Sequence, residues 1–265
     1  MASFLPRVGP RALNTSLRTI TRPNIRPQRP SAPLLRRFLA TPSDLGEQPR
    51  LRIGSTAPNF KATTTAGDID FHEFIGDSWA ILFSHPADYT PVCTTELGAF
   101  SKMKEEFDKR GVKMIGLSAD PLDSHKTWIN DINEVCSTRV SFPLIADPDR
   151  RISYLYDMIS QSDIERTAKD GSLPFTIRSV FIIDPAKKIR LTMLYPAAVG
   201  RNTSEVLRVV DALQTGDKKG VVTPIDWQRG DDVIVPPSVS TEDAKKKFGE
   251  VREVKKYLRF TNVGE

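Results

Sequence analysis

The sequence contains two cysteines, and one of them lies where its thiol would be activated. Thr90 and Pro91 predict the start of a helix, because threonine is a good N-cap and proline is favoured at the first helical position. Cys93 is then the third helical residue, where the positive end of the helix dipole favours a thiolate. A thiolate can attack a peroxide oxygen and become a sulfenic acid. The position alone fits a buried, inert cysteine equally well.

The elements on either side of Cys93 are a strand and a helix. Residues 79–84 form a short apolar run that predicts a buried strand. After Cys93, apolar residues recur at spacings of three and four, which indicates an amphipathic helix that Gly111 ends. The apolar residues of this helix are Leu97, Phe100, Met103 and Phe107.

The rest of the chain predicts an α/β fold with a mixed sheet, because strands alternate with helices before a late hairpin. The further predicted strands are 112–117, 142–145, 178–183 and 189–195, the last two forming the hairpin. The predicted helices are 123–135, 149–158, 203–213, which Gly216 is expected to end, and 241–248. We expect three parts: a leading segment over residues 1–43, a main domain over 51–215 and a small C-terminal domain over 216–265.

The leading segment carries the chain's excess of positive charge. Residues 1–43 contain eight arginines and no lysine, aspartate or glutamate, so the remaining body holds 30 basic and 33 acidic residues. This composition predicts a mitochondrial presequence, and Arg36-Arg37-Phe38 resembles a matrix-protease cleavage site. A disordered basic arm is the alternative interpretation. Because the excess positive charge belongs to this segment alone, we do not expect nucleic-acid binding. The sequence also has no run of about 20 consecutive apolar residues, so we do not expect membrane insertion.

Cysteine and histidine usage limits the other chemistry. Two cysteines cannot build a disulfide framework, so a reducing compartment is expected. The histidines show no metal-ligand spacing with either cysteine, so we expect no metal. The three histidines are His72, His85 and His125.

The segment around Cys93 resembles the peroxiredoxins. Pro86, Thr90 and Cys93 match the family's Pro-x-x-x-Thr-x-x-Cys signature, and Ser84-His85 and Thr94-Thr95-Glu96 resemble its 1-Cys class. The similarity extends from Leu51 to about Thr261. Further matching segments are Phe71-His72, Gly76-Asp77-Ser78-Trp79, Leu194-Tyr195-Pro196, Gly200-Arg201-Asn202, Thr223-Pro224-Ile225-Asp226-Trp227 and Lys256-Tyr257-Leu258-Arg259. The resemblance implies a thioredoxin-like fold with a small C-terminal peroxiredoxin domain that takes part in forming a homodimer.

The resemblance also implies a role for each matching residue. Cys93 is the expected peroxidatic nucleophile, whose thiolate would accept a hydrogen bond from the Thr90 hydroxyl, and Pro86 would shield it from water. Arg178 matches the family arginine that holds the thiolate and polarises the peroxide. Arg201 matches a second, supporting arginine, and His85 is a further candidate near the sulfur.

The expected reaction is the reduction of hydrogen peroxide and of alkyl or lipid hydroperoxides, in mitochondria and most simply in the matrix. It needs no metal, flavin or haem. Cys136 is the last cysteine in the chain, so the resolving cysteine that typical two-cysteine relatives carry near the C-terminus is missing. We therefore expect an external donor, glutathione with glutaredoxin or thioredoxin with its reductase. Cys136 is interpreted as a structural or regulatory residue.

Three other functions make different demands on the sequence. A thioredoxin-type disulfide reductase needs a Cys-x-x-Cys pair, and Glu96 occupies the fourth position here. Some relatives are phospholipases with a Gly-x-Ser-x-Gly segment. Here Ser78 is followed by Trp79-Ala80, His72 is retained, and Ala186 replaces the acid, which impairs a triad. A peroxide sensor or chaperone is the third alternative, and it would lack multiple turnovers with a donor thiol.

Overall fold

The computed structural model describes residues 51–264, so the predictions for residues 1–43 lie outside the described part of the chain. The strands of the main sheet are β1 (Lys61–Thr64), β2 (Gly67–Asp70), β3 (Trp79–Ser84), β4 (Val112–Ser118), β5 (Leu144–Ala146), β6 (Arg178–Ile183) and β7 (Ile189–Tyr195). The helices are α1 (Phe71–Ile75), α2 (Pro91–Lys102), α3 (Lys104–Lys109), α4 (Leu122–Cys136), α5 (Arg151–Leu155), α6 (Gln161–Asp170), α7 (Thr203–Lys219) and α8 (Thr241–Phe248).

Seven strands form one mixed sheet in the order β2-β1-β5-β4-β3-β6-β7. The central strand β3 pairs in parallel with β4 and antiparallel with β6, and β4 pairs in parallel with β5. The predicted hairpin is confirmed, since β6 and β7 pair antiparallel around a tight turn. The α/β fold with a mixed sheet, predicted from the alternation of elements, is therefore confirmed.

Both faces of the central strands are buried, which explains why their sequences are continuous apolar runs. Along β3, Ile81 and Phe83 face one core together with residues of α2, α4 and α7. Ala80 and Leu82 face a second core on the opposite side of the sheet, where Tyr156 is also buried. The strand therefore ends between two packed layers, and the connection that follows it emerges from the middle of the molecule.

The helix predicted to run from the cysteine segment to Gly111 is interrupted once. Helix α2 ends at Lys102, Met103 adopts φ −92° and ψ 0°, and α3 begins at Lys104. The apolar spacing continues through the interruption because Met103 still packs against the core. Apolar periodicity alone therefore does not reveal the interruption.

The prediction that Gly216 ends the helix that begins at Thr203 is wrong. Helix α7 continues to Lys219 and ends at Gly220, whose φ of 70° suits glycine. A Cβ atom at Gly216 would lie 3.3 Å from the carbonyl oxygen of Val221, so a close backbone approach favours glycine inside the helix. The predicted domain division after residue 215 falls within this helix and remains a prediction.

The C-terminal part carries a small sheet that the sequence analysis did not anticipate. It consists of β8 (Val233–Ile234), β9 (Arg252–Lys255) and β10 (Leu258–Thr261), in the order β8-β10-β9. The predicted helix over 241–248 is confirmed as α8. Across residues 51–264, every helix is too short or too polar to cross a membrane.

Candidate active site

The connection between β3 and α2 places Cys93 at the end of the central strand. Thr90 is the N-cap residue, with φ −108° and ψ 145°, and Pro91 is the first helical residue, as predicted. Cys93 is therefore in the first turn, and its side chain is fully buried. Both the helix dipole and the exclusion of water act on this sulfur, and the dipole favours its negative charge.

Arg178, at the start of the neighbouring strand β6, contacts the sulfur of Cys93. Its Nη1 donates to Sγ of Cys93 at 3.2 Å, and the same nitrogen donates to Oε2 of Glu96 at 2.6 Å. Its Nε and Nη2 donate to the carbonyl oxygen of Ala197 at 3.0 and 2.8 Å, which fixes the plane of the guanidinium. A buried guanidinium that is held in place beside a thiolate stabilises the anion by a charge-assisted hydrogen bond.

Arg201 is the second buried arginine, and Glu96 joins it to the first. Its Nε and Nη2 donate to the two carboxylate oxygens of Glu96 at 3.0 and 2.8 Å. Its Nη1 donates to the carbonyl oxygens of Ser84 and Ser179, which ties α2 to the ends of β3 and β6. Arg201 therefore positions Glu96, and Glu96 in turn positions Arg178 against the sulfur.

Glu96 is the site residue that the sequence analysis did not assign a role. Burial by itself would raise the pKa of this carboxyl, but the hydrogen bonds and charges of Arg201 and Arg178 outweigh it and lower the pKa. The sequence feature that points to a role for Glu96 in the site is its spacing. Glu96 lies three residues after Cys93, on the same face of α2. A lone glutamate on a helix is ordinarily exposed, so the spacing was not decisive.

Thr90 and Pro86 lie in the predicted connection. The Thr90 hydroxyl donates to the carbonyl oxygen of Ala87 at 2.9 Å and makes no side-chain hydrogen bond to the backbone of α2. Pro86 is buried directly before this turn. The predicted contact between the Thr90 hydroxyl and the sulfur or the peroxide remains a prediction.

His85 belongs to a buried polar cluster that sequence spacing did not reveal. Its Nε2 lies 3.0 Å from Oδ1 of Asp88, and Nδ1 of His125 lies 2.7 Å from Oδ2 of the same carboxylate. These are the side chains, within residues 51–264, that come close enough to surround a metal ion as a group of three. Nε2 of His85 and Nδ1 of His125 are instead hydrogen-bonded to the Asp88 carboxylate that lies between them.

Cys136 lies at the end of α4 and packs against α2. Its Sγ lies 3.6 Å from the carbonyl oxygen of Thr94, the residue after Cys93, and its side chain is partly buried. Both cysteines are free thiols. Gly98 provides the space for this contact, because a Cβ atom there would lie 2.7 Å from Cβ of Cys136.

The residues of the hydrolase alternative do not assemble into a triad. Ser78 and Ala186 line a surface cavity of about 680 Å³, together with Asp184, an acidic residue two positions before Ala186. His72 is directed elsewhere, and its Nε2 lies 2.8 Å from the carbonyl oxygen of Ala57. The Asp184 carboxylate accepts hydrogen bonds from the backbone of Lys188 and from Arg190, so it serves the hairpin turn.

A thiol in the first turn of the helix that follows the central strand of a thioredoxin-like sheet, held by a buried arginine, defines a thiol peroxidase. The sequence matches the AhpC/TSA family over residues 53–192 and the C-terminal domain of 1-Cys peroxiredoxin over residues 212–250. The chain therefore belongs to the peroxiredoxins, and within them to the 1-Cys group.

Known proteins agree with this assignment along most of the chain. The mitochondrial peroxiredoxin PRX1 of Saccharomyces cerevisiae is 61% identical over 216 residues, which are 81% of this chain and 82% of its own length. The 1-Cys peroxiredoxin A of Oryza sativa subsp. japonica is 48% identical over 82% of this chain and 100% of its own length.

Solved structures confirm the predicted thioredoxin-like peroxiredoxin fold. A yeast mitochondrial 1-Cys peroxiredoxin, solved in a study of thiol resolution by the glutathione and thioredoxin systems, superposes with a TM-score of 0.72 at 56% identity, covering 80% of this chain and all of that one. Peroxiredoxin 6 of Arenicola marina superposes with a TM-score of 0.75 at 43% identity, covering 80% and 98%.

Proposed function

We propose that this protein is a mitochondrial thiol peroxidase that reduces hydrogen peroxide and organic hydroperoxides through Cys93 and is recycled by an external thiol. The observation that carries the proposal is the 3.2 Å hydrogen bond from Nη1 of Arg178 to Sγ of Cys93 inside the first turn of α2. This geometry stabilises a thiolate before substrate arrives and leaves one guanidinium hydrogen, on Nη2, to polarise a peroxide.

In the first half-reaction, the Cys93 thiolate attacks the terminal oxygen of the peroxide. An S–O bond forms, the O–O bond breaks, and the departing oxygen leaves as water or an alcohol after taking up a proton. Arg178 stabilises the negative charge that moves from sulfur to the departing oxygen. The product on the enzyme is a Cys93 sulfenic acid.

The other predicted site residues assist this step. Thr90, at the start of α2, can turn its hydroxyl from Ala87 towards an incoming peroxide, and Pro86 keeps water from the sulfur. Arg201 acts indirectly, because its hydrogen bonds to Glu96 hold the carboxylate that orients Arg178. His85 lies in the connection between β3 and α2, directly before Pro86.

In the second half-reaction, a donor thiol attacks the sulfenic acid and releases water, giving a mixed disulfide. A second thiol attacks the mixed disulfide and restores Cys93. Glutathione with glutaredoxin, or thioredoxin with its reductase, is supported as the donor by the study of the yeast protein that shares 56% of its sequence. The reaction uses the Cys93 sulfur and the donor thiol, without a prosthetic group.

The mitochondrial location is supported by the arginine-rich segment 1–43 and by the name of the yeast relative that is 61% identical. Import into the matrix, followed by cleavage at a position between Leu39 and Ser43, is the simplest route. Fractionation of mitochondria with protease protection, followed by sequencing of the mature N-terminus, tests this part of the proposal.

A homodimer is supported by the edge of the main sheet. Strand β7 is the last strand of the sheet, so one of its sides offers unpaired backbone groups, and Leu194 on it is 55% exposed. Val222 and Ile225, beyond α7, add exposed apolar surface. A second copy of the chain can pair with this edge and cover that surface.

The decisive experiment is the consumption of hydrogen peroxide by wild type, Cys93→Ser and Cys136→Ser, each with the glutathione–glutaredoxin and the thioredoxin systems. We expect multiple turnovers in wild type and Cys136→Ser and none in Cys93→Ser. Activity that survives Cys93→Ser would contradict the proposal. A single turnover with every donor would favour the peroxide sensor. A Cys93–Cys136 disulfide recovered from peroxide-treated protein would contradict the external donor.

A further inference from the structure

The buried cluster around Asp88 contains one polar atom that has no partner. Nδ1 of His85 is buried, and among the described residues no group hydrogen-bonds to it. The other ring nitrogen, Nε2, is bound to the Asp88 carboxylate. A carboxylate only accepts, so Nε2 must carry the proton of this hydrogen bond. In the neutral ring, Nδ1 is then a bare acceptor inside the protein.

His125 fixes the charge of Asp88 from the opposite side. Its Nδ1 lies 2.7 Å from Oδ2 of Asp88, and its Nε2 lies 3.1 Å from the carbonyl oxygen of Ile145. Both ring nitrogens face acceptors, so both hydrogen bonds form together only when the ring carries two protons. The hydroxyl of Ser124 donates to the same oxygen of Asp88. Asp88 is thus surrounded by donors that require it to be ionised.

The electrostatic environment agrees with this arrangement. Burial by itself would raise the pKa of Asp88, but the hydrogen bonds from His125 and His85 outweigh it and hold that pKa well below its usual range. Burial lowers the pKa of His85 and so favours the neutral ring, although Asp88 acts in the opposite direction. The charged groups that act on His85 are Asp88, His125 and Asp120, and Asp120 accepts from the backbone of Asp88.

The cluster is joined to the first turn of α2. The ring of His85 packs on Trp128, with centroids 5.1 Å apart, and Nε1 of Trp128 donates to the Thr94 hydroxyl at 3.2 Å. Thr94 follows Cys93 directly. The carbonyl oxygen of Ser84, the residue before His85, accepts from Arg201. The ring of His85 is therefore connected through Trp128 to the residue that follows the reactive cysteine.

The unpaired nitrogen of His85 gives the site an acceptor for the peroxide. A peroxide offers an O–H hydrogen as well as oxygen lone pairs, whereas arginine side chains only donate. The Glu96 carboxylate is already occupied by Arg178 and Arg201. A bare, buried imidazole nitrogen supplies an acceptor without adding charge near the thiolate.

We infer that Asp88, held ionised by His125, is a positioning residue that fixes His85 as the Nε2–H tautomer and keeps its Nδ1 free to accept the O–H of the peroxide at Cys93. The inference rests on the proposed peroxidase function for its second half. During attack, the S–O bond forms and the O–O bond breaks. The hydrogen of the attacked oxygen passes by way of Nδ1 to the departing oxygen, so the imidazole ends the step neutral. Cys93 is left as a sulfenate, which takes up one proton from solvent to become the sulfenic acid.

The test is nitrogen NMR of the protein labelled with ¹⁵N-histidine, which contains three histidines in all. Single His→Gln variants assign the rings, and His72, outside the cluster, is the internal reference. We expect wild-type His85 to show an unprotonated Nδ1 and a protonated Nε2, and His125 to show two protonated nitrogens. His85 protonated at Nδ1 would overturn the inference, and the wild-type spectrum decides this even if no variant folds.

Asp88→Asn tests the positioning role. The asparagine amide can donate to Nε2, so we expect the proton of His85 to move to Nδ1 and the rate constant for Cys93 oxidation by peroxide to fall by about tenfold or more. The matched control is Asp123→Asn, which removes an exposed carboxylate two residues before His125 on α4 and should change neither readout.

The two readouts separate the inference from the proposed function. An unchanged tautomer in Asp88→Asn, or a changed tautomer with an unchanged oxidation rate, would overturn the inference. A wild-type protein with the expected tautomers whose Cys93 is not oxidised by peroxide would instead contradict the peroxidase proposal, because the NMR measurement does not depend on turnover.

Discussion

At the residue scale, the site depends on one carboxylate shared by two buried arginines. Glu96 accepts from Arg178 and from Arg201, and both guanidinium groups are almost completely enclosed. Buried charges are expensive unless they are paired, so each member of this group is stable only because the others are present. The reactive sulfur takes its partner from the same network, which makes thiolate stabilisation and folding stability inseparable here.

Replacing Glu96 by glutamine should lower the free energy of unfolding by about 3–5 kcal/mol, because two buried guanidinium groups lose their counter-charge. It should also slow peroxide reduction, since Arg178 loses the hydrogen bond that orients it. Chemical denaturation and peroxide kinetics measure the two effects. Glu105→Gln, on the exposed surface of α3, is the matched control and should change neither. A fully stable and active Glu96→Gln protein would contradict the network.

The same carboxylate predicts how stability depends on pH. The pKa of Glu96 is lowered in the folded protein, so its stabilising effect is complete above its ordinary pKa and is lost as pH falls through the folded value. We expect the free energy of unfolding to fall between about pH 5 and pH 3 more steeply in wild type than in Glu96→Gln. Denaturant titrations across this range measure it, and parallel curves would contradict the assignment.

At the element scale, two helices approach each other closely beside the site. Helix α2 carries Cys93, and α4 ends at Cys136, whose side chain lies over Gly98. The absence of a side chain at Gly98 sets the distance between the two helices. The first turn of α2 is therefore positioned from one side by the arginines and from the other by this contact.

Gly98→Ala should destabilise the protein by about 1–3 kcal/mol, although alanine is the better helix former, because the new methyl group overlaps Cys136. We expect a lower thermal midpoint and a slower reaction with peroxide as α2 shifts. The control is the double variant Gly98→Ala, Cys136→Gly, in which the overlap is gone and the two effects should not add. Simple additivity of the two changes would contradict the close contact.

At the scale of the whole molecule, the unpaired edge at β7 is the surface that a second copy would cover. Leu194→Lys should place a charge in that interface and convert the dimer into monomers, because edge lysines oppose strand pairing. Light scattering coupled to size exclusion measures the mass. Val254→Lys, at an exposed apolar position on β9, is the control and should leave the mass unchanged. A monomeric wild-type protein would contradict the dimer itself.

The sequence predicted local features well and distant contacts poorly. Thr90, Pro91 and Cys93 are neighbours in the chain, and cap and proline preferences are enough to place the sulfur in a helical turn. Glu96 meets Arg178 and Arg201 across 82 and 105 residues, and nothing in its neighbourhood records those partners. Arg178 and Arg201 were identified by the resemblance to peroxiredoxins alone.

Other differences have the same origin. His85, Asp88 and His125 come together only because the connection between β3 and α2 contacts the first turns of α4, so spacing along the chain gave no sign of the cluster. Gly216 and Gly220 are both plausible helix ends, and the packing of Val221 against Gly216 decides between them. Short elements such as α1 and β8 depend on tertiary contacts more than on local preference.

The complete burial of Cys93 has a kinetic consequence. Hydrogen peroxide is about the size of water, whereas glutathione or a protein thiol is far too large to reach an enclosed sulfenic acid. Reduction therefore requires the first turn of α2 to open, which breaks the hydrogen bond from the Thr94 amide to the Thr90 carbonyl oxygen. At high donor concentration the recycling rate should reach a plateau equal to the rate of this opening, and that plateau should be the same for every donor.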